Sequence, residues 1–225
     1  KKRVLYIPLA ITSYSLLVAT CCFKGEVETL KMYVAKAQSR WGETLYYANR
    51  AENYFYKTDR TSIPIDFYKG MAAFNTNDLP QSIEYFESAY QKAPYQVQVI
   101  NNLATAYARS GNIDKAIEYY EETLRISSRY EDARLNLTAM YYNRKRFHEA
   151  FLTIDQMDID THHKSYKKHL LLVLSKEINL ILIKNNDAEF SRKMARKIYK
   201  GRHLYALYEA AKRQQIPFED FVLKQ

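Results

Sequence analysis

The chain is poor in the residues that break or staple a fold. Its 225 residues contain five glycines, five prolines, two cysteines and one tryptophan. So little glycine and proline points to a chain that is nearly all helix. The cysteines, Cys21 and Cys22, are neighbours; adjacent cysteines rarely bridge to each other, so they supply no disulfide framework and do not indicate a redox compartment. No glycine-rich phosphate loop, HExxH, CxxC or GxSxG occurs anywhere, and no catalytic residue, cofactor or metal set is expected. His162, His163 and His169 lie close in sequence, but with no carboxylate or cysteine at ligand spacing they read as a surface cluster. The pairs Glu121-Glu122 and Glu131-Asp132 read as solvated helix ends.

Apolar and aromatic residues are plentiful: 47% of the chain is hydrophobic and 14% aromatic, with 21 tyrosines. That is enough for a substantial core. Tyrosine fills large interhelical slots and leaves its hydroxyl at the rim, so most of the tyrosines are expected to pack. The net charge is +9. Arg192, Lys193, Arg196, Lys197, Lys200 and Arg202 crowd one late stretch. An acidic membrane surface, an anionic glycan or nucleic acid suits such a cluster. No nucleic-acid motif accompanies it, so nucleic acid is not the expected partner and a solvated helix face is the plainer reading.

Residues 4–23 carry no charge, follow Lys1, Lys2 and Arg3, and precede Lys24. Twenty helical residues span about 30 Å, the thickness of a hydrocarbon core. The leading reading is a membrane-spanning helix with a cytoplasmic basic flank, which sends everything after Lys24 across the membrane. A signal peptide is a second reading, since Cys21 after Val18-Ala19-Thr20 loosely resembles a lipoprotein processing site. A buried helix capping the domain is the third. Because the first residue is lysine, the chain reads as a piece of a longer protein, with this helix its last span.

The strongest signal is a register. Residues 63–92, 97–126 and 131–157 superpose at a shift of 34 residues. The eighth place holds Gly70, Ala104 and Thr138, and the eleventh Ala73, Tyr107 and Tyr141. Ser82, Ala116 and Ala150 then align, followed by Phe86, Tyr120 and Ile154, and by Ala89, Thr123 and Met157. Small residues fall where the two helices of a hairpin touch, bulky ones where the hairpin meets its neighbour. This pattern resembles the tetratricopeptide repeat. The resemblance implies an all-α, superhelical stack of antiparallel hairpins behind one hydrophobic helix, acting as a binding scaffold.

Turns are expected at 75–78, at Ser110-Gly111-Asn112 and at 143–146, with Gly111 left-handed and Asp114 capping the next helix. Upstream, Leu30, Tyr33, Val34, Ala37 and Trp41, then Tyr46, Tyr47, Ala51, Tyr54 and Phe55, predict a degenerate capping hairpin. Residues 57–64 read as its connector. After a loop at 158–163 comes a long apolar helix over 165–184, split by Lys176 and Glu177; it reads as a buried helix sealing the stack. The expected organisation is therefore an anchor or signal segment at 1–24, capping helices at 25–62, three repeats at 63–162 and closing helices at 163–225.

In tetratricopeptide-like stacks the first helix of each hairpin lines a concave groove. The resemblance thereby marks Tyr68, Asn102 and Asn136, Asn75, Arg109 and Asn143, and Tyr142 as groove residues for a protein, a peptide or a glycan. Asparagines so spaced suit a peptide backbone or sugar hydroxyls, or else bond across to neighbouring helices. The family's carboxylate-clamp positions carry Phe67, Met71, Asp132 and Asn136, and only Asn102 fits, so chaperone C-termini are not expected. Asn136-Leu137-Thr138 matches a glycosylation sequon but falls mid-helix.

The basic flank, apolar helix and repeats together also resemble the tail of O-antigen ligase or polymerase-type membrane proteins. That resemblance implies a periplasmic, non-catalytic accessory domain, with the catalytic residues in a membrane part outside this chain. A stand-alone envelope scaffold and a cytoplasmic adaptor are the alternatives.

Overall fold

The computed structural model describes residues 2–198 and 201–225. They form twelve helices and no strand among the described residues; the two β-bridges, Asn53 with Tyr56 and Thr58 with Pro64, are isolated. The chain divides into two compact units, Lys1–Tyr119 and Tyr120–Gln225.

The first unit opens on α1 (Lys2–Ala37), then α2 (Trp41–Ala51), α3 (Ile65–Asn75), α4 (Leu79–Lys92), α5 (Val97–Arg109) and the first half of α6 (Ile113–Ile126). The expected boundary between anchor and capping helices, at Lys24, falls inside one helix. α1 runs unbroken through it, 36 residues in all from Lys2 to Ala37, and carries no proline after Pro8. Its window from Ile7 is long and apolar enough to cross a membrane and none of it is buried. Ile7, Leu16 and Phe23 are two-thirds or more exposed. The reading of this segment as a buried cap is thus corrected.

Spacing also misjudges which face of α1 packs. Gly25, Glu28, Thr29, Met32 and Ala35 are buried, whereas Leu30 and Val34 face outward. α2 and the connector settle on the polar side, where Arg50 and Lys31 neutralise the buried Glu28 carboxylate at 3.2 and 3.3 Å. α2 then stops at Ala51. The predicted helical stretch through Tyr54 and Phe55 is instead a turn, because the Asn53 side chain accepts from Phe55 N at 3.0 Å and competes with the helix.

Repeat chemistry explains the hairpins. Left-handed residues recur at Asn77, Gly111 and Lys145, 34 residues apart as the register requires. At each, the following amide reaches back to the preceding helix at 2.9 Å: Asp78 to Ala73, Asn112 to Tyr107, Arg146 to Tyr141. The same closure occurs at Ser39 between α1 and α2 and at Gln215 near the C-terminus. The outer hairpins therefore turn as the repeats do. Asp78 caps α4 through Gln81 N, and at the equivalent place Asn112, not Asp114, caps α6 through Lys115 N at 3.3 Å. Gly70 shows why the eighth place is small: a Cβ there would stand 2.6 Å from the Phe86 ring.

The second unit holds the rest of α6, then α7 (Glu131–Asn143), α8 (Phe147–Asp155), α9 (Tyr166–Asn185), α10 (Ala188–Ile198), α11 (Gly201–Arg213) and α12 (Phe218–Leu223). α9 buries Leu170, Val173, Leu174, Ile178 and Ile181 but leaves Leu172, Leu180 and Ile183 exposed. It packs on α7 and α8 as the first helix of a further hairpin would, rather than as a fully buried seal. Arg134 is the buried cation among the described residues of this unit. Its guanidinium donates to Ser128 O in the turn after α6, to Thr153 O at 3.3 Å in the last turn of α8, and to the Gln156 side-chain Oε1 at 2.5 Å just after α8. Neutral carbonyl and amide oxygens stand in for a carboxylate there, and burial lowers its pKa.

Candidate functional site

The expected groove residues fall into three groups. Tyr68 is not available to a ligand: it is 4% exposed, and its hydroxyl donates to Asp59 Oδ2 at 2.5 Å. Asp59 also accepts from Tyr33 at 2.6 Å, from the Thr61 hydroxyl and backbone, and from Ile63 N. One buried carboxylate thereby ties the connector to α1 and α3. Burial works against its charge, yet these donors outweigh it and hold its pKa below the ordinary value. Burial and the same carboxylate push the Tyr33 hydroxyl up to about 12.

Asn75, Asn102 and Arg109 belong to the first unit. The two amides donate back to their own helices, Asn75 to Met71 O and Asn102 to Gln98 O, each at 2.8 Å. Neither is a tie between helices. Arg109 lies over the Phe74 ring, 4.8 Å from its centroid, and donates to Asn77 Oδ1 at 2.9 Å, so it braces the α3–α4 turn while staying exposed.

Asn136, Tyr142 and Asn143 belong to the second unit. Half-buried Asn136 has no hydrogen-bond partner among the described residues. Tyr142 and Asn143 form one wall of a cleft of about 250 Å³; Lys168, His169, Leu172 and Val173 of α9 form the other. The sequence pattern does not reveal the α9 wall because the repeat register fades after Met157. The apolar Leu172 and Val173 beside an exposed Lys168 give the cleft an oily floor and a cationic rim.

Glu121, Glu131, Asp132 and His163, which read as solvated, have partners, and so does Glu87. Glu87 accepts from the Tyr107 hydroxyl and Glu121 from Tyr141, the same bond one repeat later. Burial and its carboxylate partner raise the Tyr141 hydroxyl to about 12. Glu131 accepts from Thr161 at 2.7 Å, and Asp132 pairs with His163 at 2.9 Å. No three metal-ligating side chains converge among the described residues. Thr138 donates to Arg134 O inside α7, which keeps the sequon mid-helix. Of the basic cluster, Arg192 and Lys193 are exposed on α10; Lys200 and the side chains of Arg196, Lys197 and Arg202 lie outside the described residues.

The architecture is that of a helical-hairpin repeat protein whose first helices carry the candidate site. Residues 97–130 match the family model of the tetratricopeptide repeat. Photosystem I assembly protein Ycf3 of Prochlorococcus marinus subsp. pastoris is 26% identical over 98 residues, covering 42% of this chain and 57% of that one. Ycf3 of Prochlorococcus marinus strain NATL2A is 27% identical over 96 residues, with 41% and 56% covered. The chain thus spans a little over half the length of these curated relatives. Among solved structures, MamA AMB-1 superposes with a TM-score of 0.54 at 16% identity, over 72% of this chain and 84% of that one. The human IFIT1 dimer with PPP-AAAA gives 0.51 at 15% identity, over 89% and 50%. Likeness at these identities is likeness of fold.

Proposed function

We propose that this chain is a non-catalytic, tetratricopeptide-type scaffold that binds an extended segment of a partner protein along the first helices of its hairpins, held at a membrane by α1. The α7–α9 cleft carries the reading. It presents an apolar floor and a cationic rim, which suit a peptide with an apolar side chain next to an acidic one; α7 also carries, outside the cleft lining, the Asn136 amide that lacks a partner. The relatives' names, an assembly protein among them, support a scaffold role.

A photo-crosslinking residue placed at Tyr142 in cells making the protein tests this. Adducts to a protein are expected there and not from the same probe at Tyr95, an exposed position remote from the cleft in sequence. Asn136→Ala and Tyr142→Ala should reduce the adducts captured from Asn143 with little change in melting, since a groove polar group has water as its alternative. Equal adducts from Tyr95, or none from Tyr142, refute the groove.

The finer reading places this scaffold outside the cytoplasm, beside a membrane enzyme that moves polysaccharide, with a glycan as a second ligand of the groove. The basic residues before the apolar helix and the resemblance of the repeats to ligase tails support it. Alkaline phosphatase fused after Gln225 should be active on that reading. An inactive fusion that remains fluorescent with a cytoplasmic reporter supports the adaptor alternative.

A further inference from the structure

The turn after α2 lies along the apolar half of α1 instead of ending level with Lys24. The Asn53 amide donates to Cys21 O at 3.0 Å, and the Cys22 thiol faces Phe55 O at 3.8 Å. Gly25 lets the Tyr56 ring lie directly on the helix, where any Cβ would collide with it. Most telling, the Phe55 ring meets Tyr14 edge-on at 5.8 Å. Tyr14 is nine residues before Phe23, roughly 14 Å down the helix axis at 1.5 Å per residue. Tyr54 packs edge-on against Phe55 at 5.0 Å and is otherwise 84% exposed.

We propose that this turn is an aromatic wedge in the bilayer: Phe55 reaches down among the acyl chains beside α1, Tyr54 sits at the boundary between headgroups and acyl chains, and the pair fixes the repeats at a set height and rotation on the bilayer. The inference rests on α1 entering the membrane. A bilayer surrounding the apolar helix must meet the pair, because the pair lies beside that helix and not beyond it. Aromatic rings favour this boundary, and a tyrosine hydroxyl there reaches water. The turn suits the depth, since Asn53 and Tyr56 exchange both backbone bonds, at 3.1 and 3.3 Å, and the Asn53 side-chain amide makes three more hydrogen bonds, to Cys21 O, Ala51 O and Phe55 N. Exposed Lys24 and Lys57 flank it at the level of lipid phosphates.

The test uses the full chain in phosphatidylcholine–phosphatidylglycerol vesicles, with Trp41→Phe removing the single tryptophan. Tyr54→Trp and Leu9→Trp are then compared with lipids brominated near the headgroup or near the chain ends. Leu9→Trp should lose emission to the deep bromines and Tyr54→Trp to the shallow ones. If Leu9→Trp is quenched and Tyr54→Trp is not, the wedge is wrong while the membrane reading stands, and a protein covers the pair instead. If neither is quenched, the membrane reading fails and takes the wedge with it.

Discussion

Adding one methyl group to Gly70 should destabilise the protein, although alanine is the better helix former. On propensity alone, Gly→Ala inside a helix gains about 1 kcal/mol. Here the new Cβ would stand 2.6 and 2.7 Å from two carbons of the Phe86 ring. Ordinary carbon contacts are about 3.5–4.0 Å, so the ring must retreat by roughly 1 Å. It has nowhere to go: Phe86 is 1% exposed and its ring lies 5.9 Å from that of Phe67. Overpacking of this kind costs about 1–3 kcal/mol, so the net expectation is a loss of up to about 2 kcal/mol once propensity is subtracted. Gly42, in α2 with nothing within 4 Å of its Cβ position, is the control. Gly42→Ala should stabilise by up to about 1 kcal/mol. Urea unfolding followed by circular dichroism on the full chain in detergent reads both, and a Gly70→Ala/Phe86→Leu double mutant closes the cycle. The methyl should cost much less once the ring is trimmed. Additivity within about 0.5 kcal/mol, or stabilisation by Gly70→Ala, would refute contact between α3 and α4 as its cause.

The Glu52 carboxylate accepts from Lys69 at 2.5 Å and Lys92 at 3.3 Å, and Lys92 also pairs with Asp66. Burial opposes its charge, but the two ammonium groups outweigh it and hold the pKa at about 2. A depressed carboxylate stabilises the fold above its unfolded pKa and loses that contribution as pH falls through the folded one. About 3 kcal/mol should therefore disappear between about pH 5 and 2, and Glu52→Gln should flatten that part of a stability–pH curve; an unchanged slope would sink the assignment. Lys145 holds the left-handed turn position that Gly111 fills one repeat earlier, at φ 61°. Lys145→Gly should raise stability by about 0.5–1 kcal/mol, measured as a higher melting temperature, whereas a lower one would show that the lysine stem contributes packing that outweighs its backbone strain.

The register, the shortage of glycine and proline, and the uncharged first segment are enough to determine helical hairpins, their turns and one exposed apolar helix. These are local properties. A 34-residue period repeats because each hairpin meets its neighbours in the same way, and Asn77, Gly111 and Lys145 fall on it because a turn of fixed geometry needs one left-handed residue. Periodicity cannot say which side of a helix finds a partner. Leu30 and Val34 read as a core stripe, yet the buried side of α1 contains Glu28, whose charge is neutralised by Arg50 of a different helix. The candidate site divides in the same way. Tyr142 and Asn143 are legible from their repeat positions, whereas Tyr68 is lost to Asp59, a residue of the connector, and the α9 wall follows no register. Spacing encodes contacts within a hairpin; only the tertiary structure decides which polar groups meet across helices and loops, because those pairs depend on approach in space and not on distance along the chain.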